Sequence, residues 1–260
     1  VLTYGKTYKY HEVKAPDGYK VSKDILFTID KQGVIRNARY DGDAAEVRVI
    51  NNTIRMADPT LDVKFGKTDL NGQYLTGAEV AVGTRNADGA FEAVEIWTTT
   101  ETEAAHRLSG KLQPGKTYLY RELKAPSAYA GSADIEFTVS ADGSVTNAHY
   151  VDENGGTILY DENGLTTGII KNEDGTYRYD GKTVTVDDEG TAKTEDGNVI
   201  ATGVKAEIEV TDNHLIMKDA PLDIVIKKED QEGKSLAGVK LAVYKLSLIH
   251  ISEPTRLGMI

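Results

Sequence analysis

Leu112-Gln113-Pro114-Gly115-Lys116-Thr117-Tyr118-Leu119-Tyr120-Arg121-Glu122-Leu123-Lys124-Ala125-Pro126 repeats Leu2-Thr3-Tyr4-Gly5-Lys6-Thr7-Tyr8-Lys9-Tyr10-His11-Glu12-Val13-Lys14-Ala15-Pro16 without a gap, carrying Glu12 onto Glu122. The match continues to Tyr40 and Tyr150. A second block, Glu46 to Val82, lines up with Glu207 to Val243 at a larger shift, carrying Asp58 onto Asp219 and Lys67 onto Lys228. The change of shift marks an insertion between Tyr150 and Glu207. Repeats of this length are domains in tandem. The chain therefore divides into the C-terminal part of one truncated domain (1–60), a complete domain (61–220) interrupted at about 151–206, and the opening strands of a truncated next domain (221–245).

The quoted stretch alternates apolar and polar residues, and so do Asp62 to Asp69, Ala78 to Gly83, Phe91 to Thr98, Asp134 to Ser140, Ser144 to Tyr150 and Glu207 to Lys218. No segment carries a helical period. Many short strands separated by turns predict an all-β, Greek-key β-sandwich of antiparallel hairpins. In the insertion, Gly155, Gly164, Gly175, Gly181, Gly190 and Gly197 each follow Asn, Asp or Glu, which predicts successive hairpins. That segment holds 12 acidic and 5 basic residues, so most of the chain's net charge of -11 is local to it. Its carboxylates match no calcium-loop spacing and read as solvated turns.

Composition removes several function classes. The acidic balance gives no general support for binding nucleic acid or anionic lipid. No run approaches the roughly 18 to 20 apolar residues of a membrane span. Zero cysteines exclude disulfides and thiolate chemistry. His11, His106, His149 and His214 lack paired spacing for zinc and read as surface or turn residues, so no metal or cofactor is expected. No phosphate loop and no convergent carboxylate pair is visible. Trp97, beside Ile96 in a strand, reads as core rather than as a sugar platform. Residues 246–260 do not continue the repeat. Leu246 to Arg256 resembles an in-frame sequencing-library adapter, so His250 and Glu253 receive no functional reading.

Parity singles out three ionisable residues. Side chains alternate faces along a strand, so Val63, Phe65 and Lys67 share one face, as do Tyr118, Tyr120 and Glu122, and Leu215, Met217 and Asp219. Each apolar stripe ends in a group that can carry charge. The fragments follow the same rule with Tyr8, Tyr10 and Glu12, with Ile54, Met56 and Asp58, and with Ile224, Ile226 and Lys228. A lone buried ion costs several kcal/mol, but three such groups can neutralise one another. Desolvation favours an uncharged amine facing a carboxylic acid, and an uncharged amine is a nucleophile. The expected chemistry is attack of Lys67 on the Asp219 carboxyl carbon with Glu122 as acid/base, leaving an amide and one water. Such a reaction happens once per molecule, so no enzyme turnover is expected. The competing reading has Lys67 snorkelling to the sheet edge to pair with an exposed acid. That reading is preferred for Lys64, Lys116 and Lys124. Glu12 and Asp58 lack an upstream lysine, and Lys228 lacks downstream partners, so these are incomplete sites.

The stretches Val63 to Asp69, Leu75 to Ala78, Glu122 to Pro126 and His214 to Ala220, in that order, resemble the Cna B-type domain, the SpaA-like, prealbumin-like sandwich of Gram-positive surface proteins and pilins. The likeness is nearest to its Lys–Asp subtype, the one split to make the SpyTag and SpyCatcher pair. The resemblance implies an isopeptide bond with Lys67 as amine, Asp219 as carboxyl and Glu122 as catalytic acid/base. It also implies an extracellular, wall-anchored or secreted stalk of an adhesin or pilus, whose partners are neighbouring domains of the same chain and, through other parts, a host protein or glycan. A second function class is a ligand-binding module that uses the acidic insertion to contact a host protein, glycan or cation. Two departures from the family pattern stand out. Ser127-Ala128-Tyr129 replaces the Asp-Gly-Tyr kept at Asp17-Gly18-Tyr19, which weakens a turn, and the insertion interrupts the approach to Asp219.

Overall fold

A computed structural model describes residues 2–102, 104–222 and 227–240. Among these, every regular element is a strand. The first repeat contributes β1 (Thr7–Tyr10), β2 (Ile25–Ile29), β3 (Ile35–Tyr40), β4 (Val49–Ile50) and β5 (Thr53–Ile54). The central domain contributes β6 (Asp62–Asp69), β7 (Glu79–Arg85), β8 (Phe91–Thr98), β9 (His106–Ser109), β10 (Thr117–Lys124), β11 (Asp134–Val139) and β12 (Val145–Val151). The insertion follows as β13 (Thr157–Tyr160), β14 (Thr166–Lys171), β15 (Tyr177–Tyr179), β16 (Lys182–Val186), β17 (Ala192–Thr194) and β18 (Val199–Ala201), and β19 (His214–Asp219) closes the domain.

Two sheets form the central sandwich. One has the order β19-β6-β9, and the other runs β18-β17-β16-β15-β14-β13-β12-β11-β10-β7-β8. Leu61, Val63, Phe65, Leu108, Leu215 and Met217 of the first pack against Val80, Val82, Tyr118, Tyr120, Ile135, Phe137 and Tyr150 of the second. Their alternation along each strand puts these side chains on one face, and burying each large one contributes roughly 1.5–3 kcal/mol. The opening and closing strands, β6 and β19, pair in parallel, with Met217 opposite Lys67 and Asp219 opposite Asp69. This departs from the antiparallel expectation. Parallel pairing requires a long crossover, and the whole rest of the domain supplies it.

The closing strand is also shorter than the run Glu207 to Lys218 suggested. Asp212 and Asn213 adopt left-handed backbone (φ 52° and 53°), and His214 N–H donates to Thr211 C=O at 2.9 Å, so a turn delays the strand to His214. The short strand β9 has no counterpart among the alternating runs read from the sequence. It borders β6 through Val63 opposite Leu108.

The insertion is the predicted chain of hairpins. All six turn glycines have positive φ, the backbone region that glycine adopts without steric cost. Asp152, Asp161 and Asp187 each accept N–H bonds from their own turn, so these acids solvate turns as expected. Leu159, Ile169, Val184, Ala192 and Val204 give the insertion a small core of its own.

Repetition in sequence is repetition in geometry. Tyr8 opposes Phe27 as Tyr118 opposes Phe137, with a register irregularity one step along in the next strand pair of each repeat. Asn37 and Asn147 are both left-handed at φ 54° and 52°. The first repeat docks on the central domain through Gly18, whose N–H donates to Leu112 C=O at 3.1 Å, and through Gln113, which donates to Asp17 at 2.6 Å. Residues 1–222 form one compact unit, and a second begins at Asp223. Within the second, Asp230 N–H donates to Lys234 C=O and Leu236 N–H to Lys228 C=O, the pattern of Asp69 with Gln73 and Leu75 with Lys67. Ile224, Ile226 and residues 246–260 lie outside the described residues.

Candidate functional site

β6 carries Lys67 inward after Val63 and Phe65, β10 carries Glu122 after Tyr118 and Tyr120, and β19 carries Asp219 after Leu215 and Met217. The three side chains meet inside the sandwich. Lys67 and Asp219 are each 1% exposed, and the Glu122 side chain is 2% exposed. Lys67 Nζ donates to Asp219 Oδ1 and lies 3.1 Å from Glu122 Oε1. Glu122 sits at a register shift in the β10–β7 ladder, a local bend that re-aims a side chain. Its Oε2 is held by the Ser132 N–H at 2.8 Å. Tyr120, one pleat earlier, donates its hydroxyl to Gly66 C=O at 3.2 Å and ties β10 to the backbone beside Lys67.

Charge bookkeeping in this site leaves one proton to place. An ammonium and two carboxylates would bury a net negative charge, which is costly at low dielectric. Glu122 Oε1 and Asp219 Oδ2 are both buried without a hydrogen-bond partner. A single proton between the two carboxyls satisfies both and leaves the group neutral. Burial pushes the Asp219 carboxyl up to about 7; the Lys67 amine opposes this and the Glu122 carboxyl adds to it. Asp219 is thus poised to carry the proton near neutral pH. The arrangement sets an amine against a carboxyl carbon in a dry interior, beside a second carboxyl able to move protons.

Neither departure from the repeat disturbs the three residues. Tyr129 N–H still donates to Pro126 C=O at 3.2 Å, as Tyr19 does to Pro16 at 3.1 Å, with Ala128 forced to φ 68° where Gly18 stands at 81°. The insertion leaves from Val151 and returns at Glu207 through the His149–Glu207 bridge. The first repeat bridges Arg39 to Glu46 at the same place with a short turn. Both routes end in the same bridge, and Asp219 still meets Lys67.

The incomplete sites keep part of the pattern. Glu12 Oε2 accepts from Ser22 N–H at 2.7 Å, the counterpart of Glu122 and Ser132. Burial, then the neighbouring Glu12 charge, raises the Asp58 carboxyl above its usual range. Glu12 and Asp58 are only partly buried, and among the described residues no ion pair reaches either. Lys228 is exposed in the second unit.

His11 is exposed, as its reading as a surface residue expected, whereas His106 and His214 are not free surface side chains. His106 stacks on Trp97 at 4.4 Å, and Trp97 in turn stacks on Tyr120 at 5.9 Å. Trp97 is therefore packed against the core, as its strand context suggested. His214 is half-buried on the outer face of β19, where burial, aided by Lys64, lowers its pKa. Only the outward parity of β19, with an apolar residue at Ile216, could have signalled a second covered face.

The family model that matches this chain is the prealbumin-like fold domain SpaA, over residues 61–154. No curated protein matches. Among solved structures, the C-terminal fragment of pilus adhesin SpaC from Lactobacillus rhamnosus GG is 18% identical, with 86% of this chain and 79% of that fragment covered and a TM-score of 0.34. The longer SpaC structure in its open conformation is also 18% identical, over 85% of this chain but 25% of SpaC, at a TM-score of 0.32, so this chain spans about a quarter of that protein. The pilus 2b backbone protein of group B streptococcus is 12% identical, with 81% and 52% covered and a TM-score of 0.26. Among the described residues no helix is long and apolar enough to cross a membrane.

Proposed function

Starting from the SpaA match of residues 61–154, we propose that this chain is a stalk or shaft segment of an extracellular adhesin or pilus, stabilised by a self-formed amide between Lys67 and Asp219. The observation that carries the reading is the fully buried amine held between two carboxyls at the ends of three apolar stripes. A snorkelling lysine would reach solvent, and this one does not.

The reaction balances without a cofactor. Lys67 passes a proton to the carboxyl pair, and its freed lone pair attacks the Asp219 carboxyl carbon. Glu122 takes the second amine proton and returns a proton to the departing oxygen, which leaves as water. An amide replaces one C–O bond, and each molecule reacts once. Fixed neighbours act at effective molarities of roughly 10⁵ M or more, which is what lets an unactivated carboxylic acid react. The apolar wall around the three residues keeps water from competing.

The bond serves a mechanical role. β6 opens the domain and β19 closes it, so tension entering at Leu61 passes from Lys67 to Asp219 and leaves through Ala220. Residues 68–218 stay outside that path. Repetition of the domain sets a distal binding part away from the cell wall, and neighbouring domains of the same chain are the immediate partners. Protease digestion of the denatured chain followed by tandem mass spectrometry tests the bond directly. The expected product is a branched peptide joining Lys67 to Asp219, and recovery of only linear peptides containing each residue would overturn it.

A further inference from the structure

The two strands that hold the buried triad also build a cleft on their opposite face. On β6 the outward residues Gly66 and Thr68 are buried rather than solvated, and Thr68 is only 2% exposed. The missing side chain of Gly66 leaves room for its neighbours, since a Cβ there would come within 2.8 Å of His214 Nε2 and 3.2 Å of the Tyr74 ring. On β19 the outward residues are His214, Ile216 and Lys218. The insertion supplies the far wall: Tyr160 hydrogen-bonds to Glu207 C=O at 2.7 Å, and Lys218 Nζ reaches Asn163 C=O at 3.4 Å, tying the first inserted hairpin to the closing strand. The cleft between them measures about 370 Å³, within the roughly 300–1,000 Å³ of small-molecule sites.

Two polar atoms on this wall have no partner. Thr68 Oγ1 and His214 Nε2 are both buried and unbonded. An unsatisfied buried group costs about 1–3 kcal/mol, so the cleft is built to receive something that hydrogen-bonds. A hydroxyl can both donate and accept, and the imidazole, kept neutral by burial, can do either. Around them stand the rings of Tyr74 and Tyr160, the carboxylates of Glu162 and Glu209, and the Lys218 ammonium. Flat amphipathic rings beside a mixed set of donors and acceptors suit a ring with apolar C–H faces and several hydroxyls.

We propose that the cleft bounded by Thr68, Tyr74, Tyr160, Glu162, His214 and Lys218 is a binding site for a pyranose sugar unit, assembled by the insertion on the outer face of β6 and β19. Tyr74, which is 42% exposed, offers a stacking face. Thr68 and His214 take ring hydroxyls at the base, and Glu162 and Lys218 take those nearer the mouth. The inference deepens the reading of the insertion as a ligand-contacting module and is independent of the cross-link.

The test is ¹H–¹⁵N NMR of the full chain titrated with methyl glycosides of glucose, galactose, mannose and N-acetylglucosamine at millimolar concentration. At least one glycoside is expected to shift the amide signals of Thr68, Tyr74, His214 and Lys218. Tyr74→Ala, at an exposed position, and Thr68→Val, which removes only the hydroxyl, are each expected to weaken binding about tenfold. Unchanged amide signals at residues away from the cleft in both variants would show that strand register survives. The proposal is overturned if no glycoside moves those signals, or if the shifts persist unchanged in both variants. Failure of the cross-link would show in the mass alone, so the two readings fail separately.

Discussion

In the proposed cross-link, Asp219 is the residue whose protonation sets the chemistry. Its carboxyl must be neutral to lose its oxygen as water, and burial raises it to about 7 from an ordinary 3.8. Chain recovered unfolded from inclusion bodies, and so not yet cross-linked, should on refolding form the amide progressively more slowly as pH rises above about 7, followed by quenching into denaturant and measuring mass against time. The linkage has the same direction. A Lys67→Met chain keeps Asp219 buried without its opposing cation, so the folded state holds a proton that the unfolded chain releases above its ordinary value. The stability this gives is fully present below 3.8 and is lost as pH rises toward and past 7, which urea titrations across that range would reveal. Ala128 offers a separate check. It occupies left-handed backbone at φ 68° in a turn whose counterpart is Gly18, so Ala128→Gly should stabilise the chain by about 1 kcal/mol in denaturant titration.

At the scale of strands, β6 and β19 are neighbours in space, but the two residues of the proposed bond are separated by 152 positions in the chain. By the loop-entropy relation used for disulfides, a covalent tie over that span is worth about 5 kcal/mol. Glu122→Ala, which keeps both reacting groups but removes the proton carrier, should forfeit that amount and lower the melting temperature by about 10–20 °C. The insertion is predicted to be dispensable for the bond. Replacing residues 151–206 with the Asp41–Ala45 turn of the first repeat should leave the cross-link intact while abolishing sugar-induced shifts. Period-two alternation exposed Lys67, Glu122 and Asp219 in the sequence because one apolar face buries each stripe, and the turn glycines exposed the hairpins because left-handed backbone selects for them. Alternation says nothing about strand direction or long-range partners, so the parallel β6–β19 pairing was not legible. The cleft was hidden for a related reason. Thr68 and His214 look solvent-facing by parity, but Tyr74, which bridges to Thr68, and the first inserted hairpin line the cleft over them.

Across the whole molecule, the repeat geometry joins one sandwich to the next through a tight approach of backbones. Gly18, at φ 81°, lies so close to Gly110 that any Cβ there would overlap the Gly110 carbonyl oxygen. Gly18→Ala should loosen this joint at a cost of about 1–3 kcal/mol, read as faster hydrogen exchange at Gly18 and Leu61, whose N–H groups cross the joint, with the triad unaffected. The proposed tandem shaft would need such joints to align its domains, and would need each domain to survive tension that enters and leaves through its end strands. Single-molecule pulling on the Glu122→Ala chain should accordingly show a full unfolding extension for the central domain that the parent chain lacks. The most direct measurement remains the intact mass of the purified, denatured full chain. It is predicted to fall short of the sequence mass by one water, and Lys67→Ala, Glu122→Ala and Asp219→Ala are each predicted to restore the full value. A parent chain at its full sequence mass, or a deficit that persists in all three variants, would contradict the account.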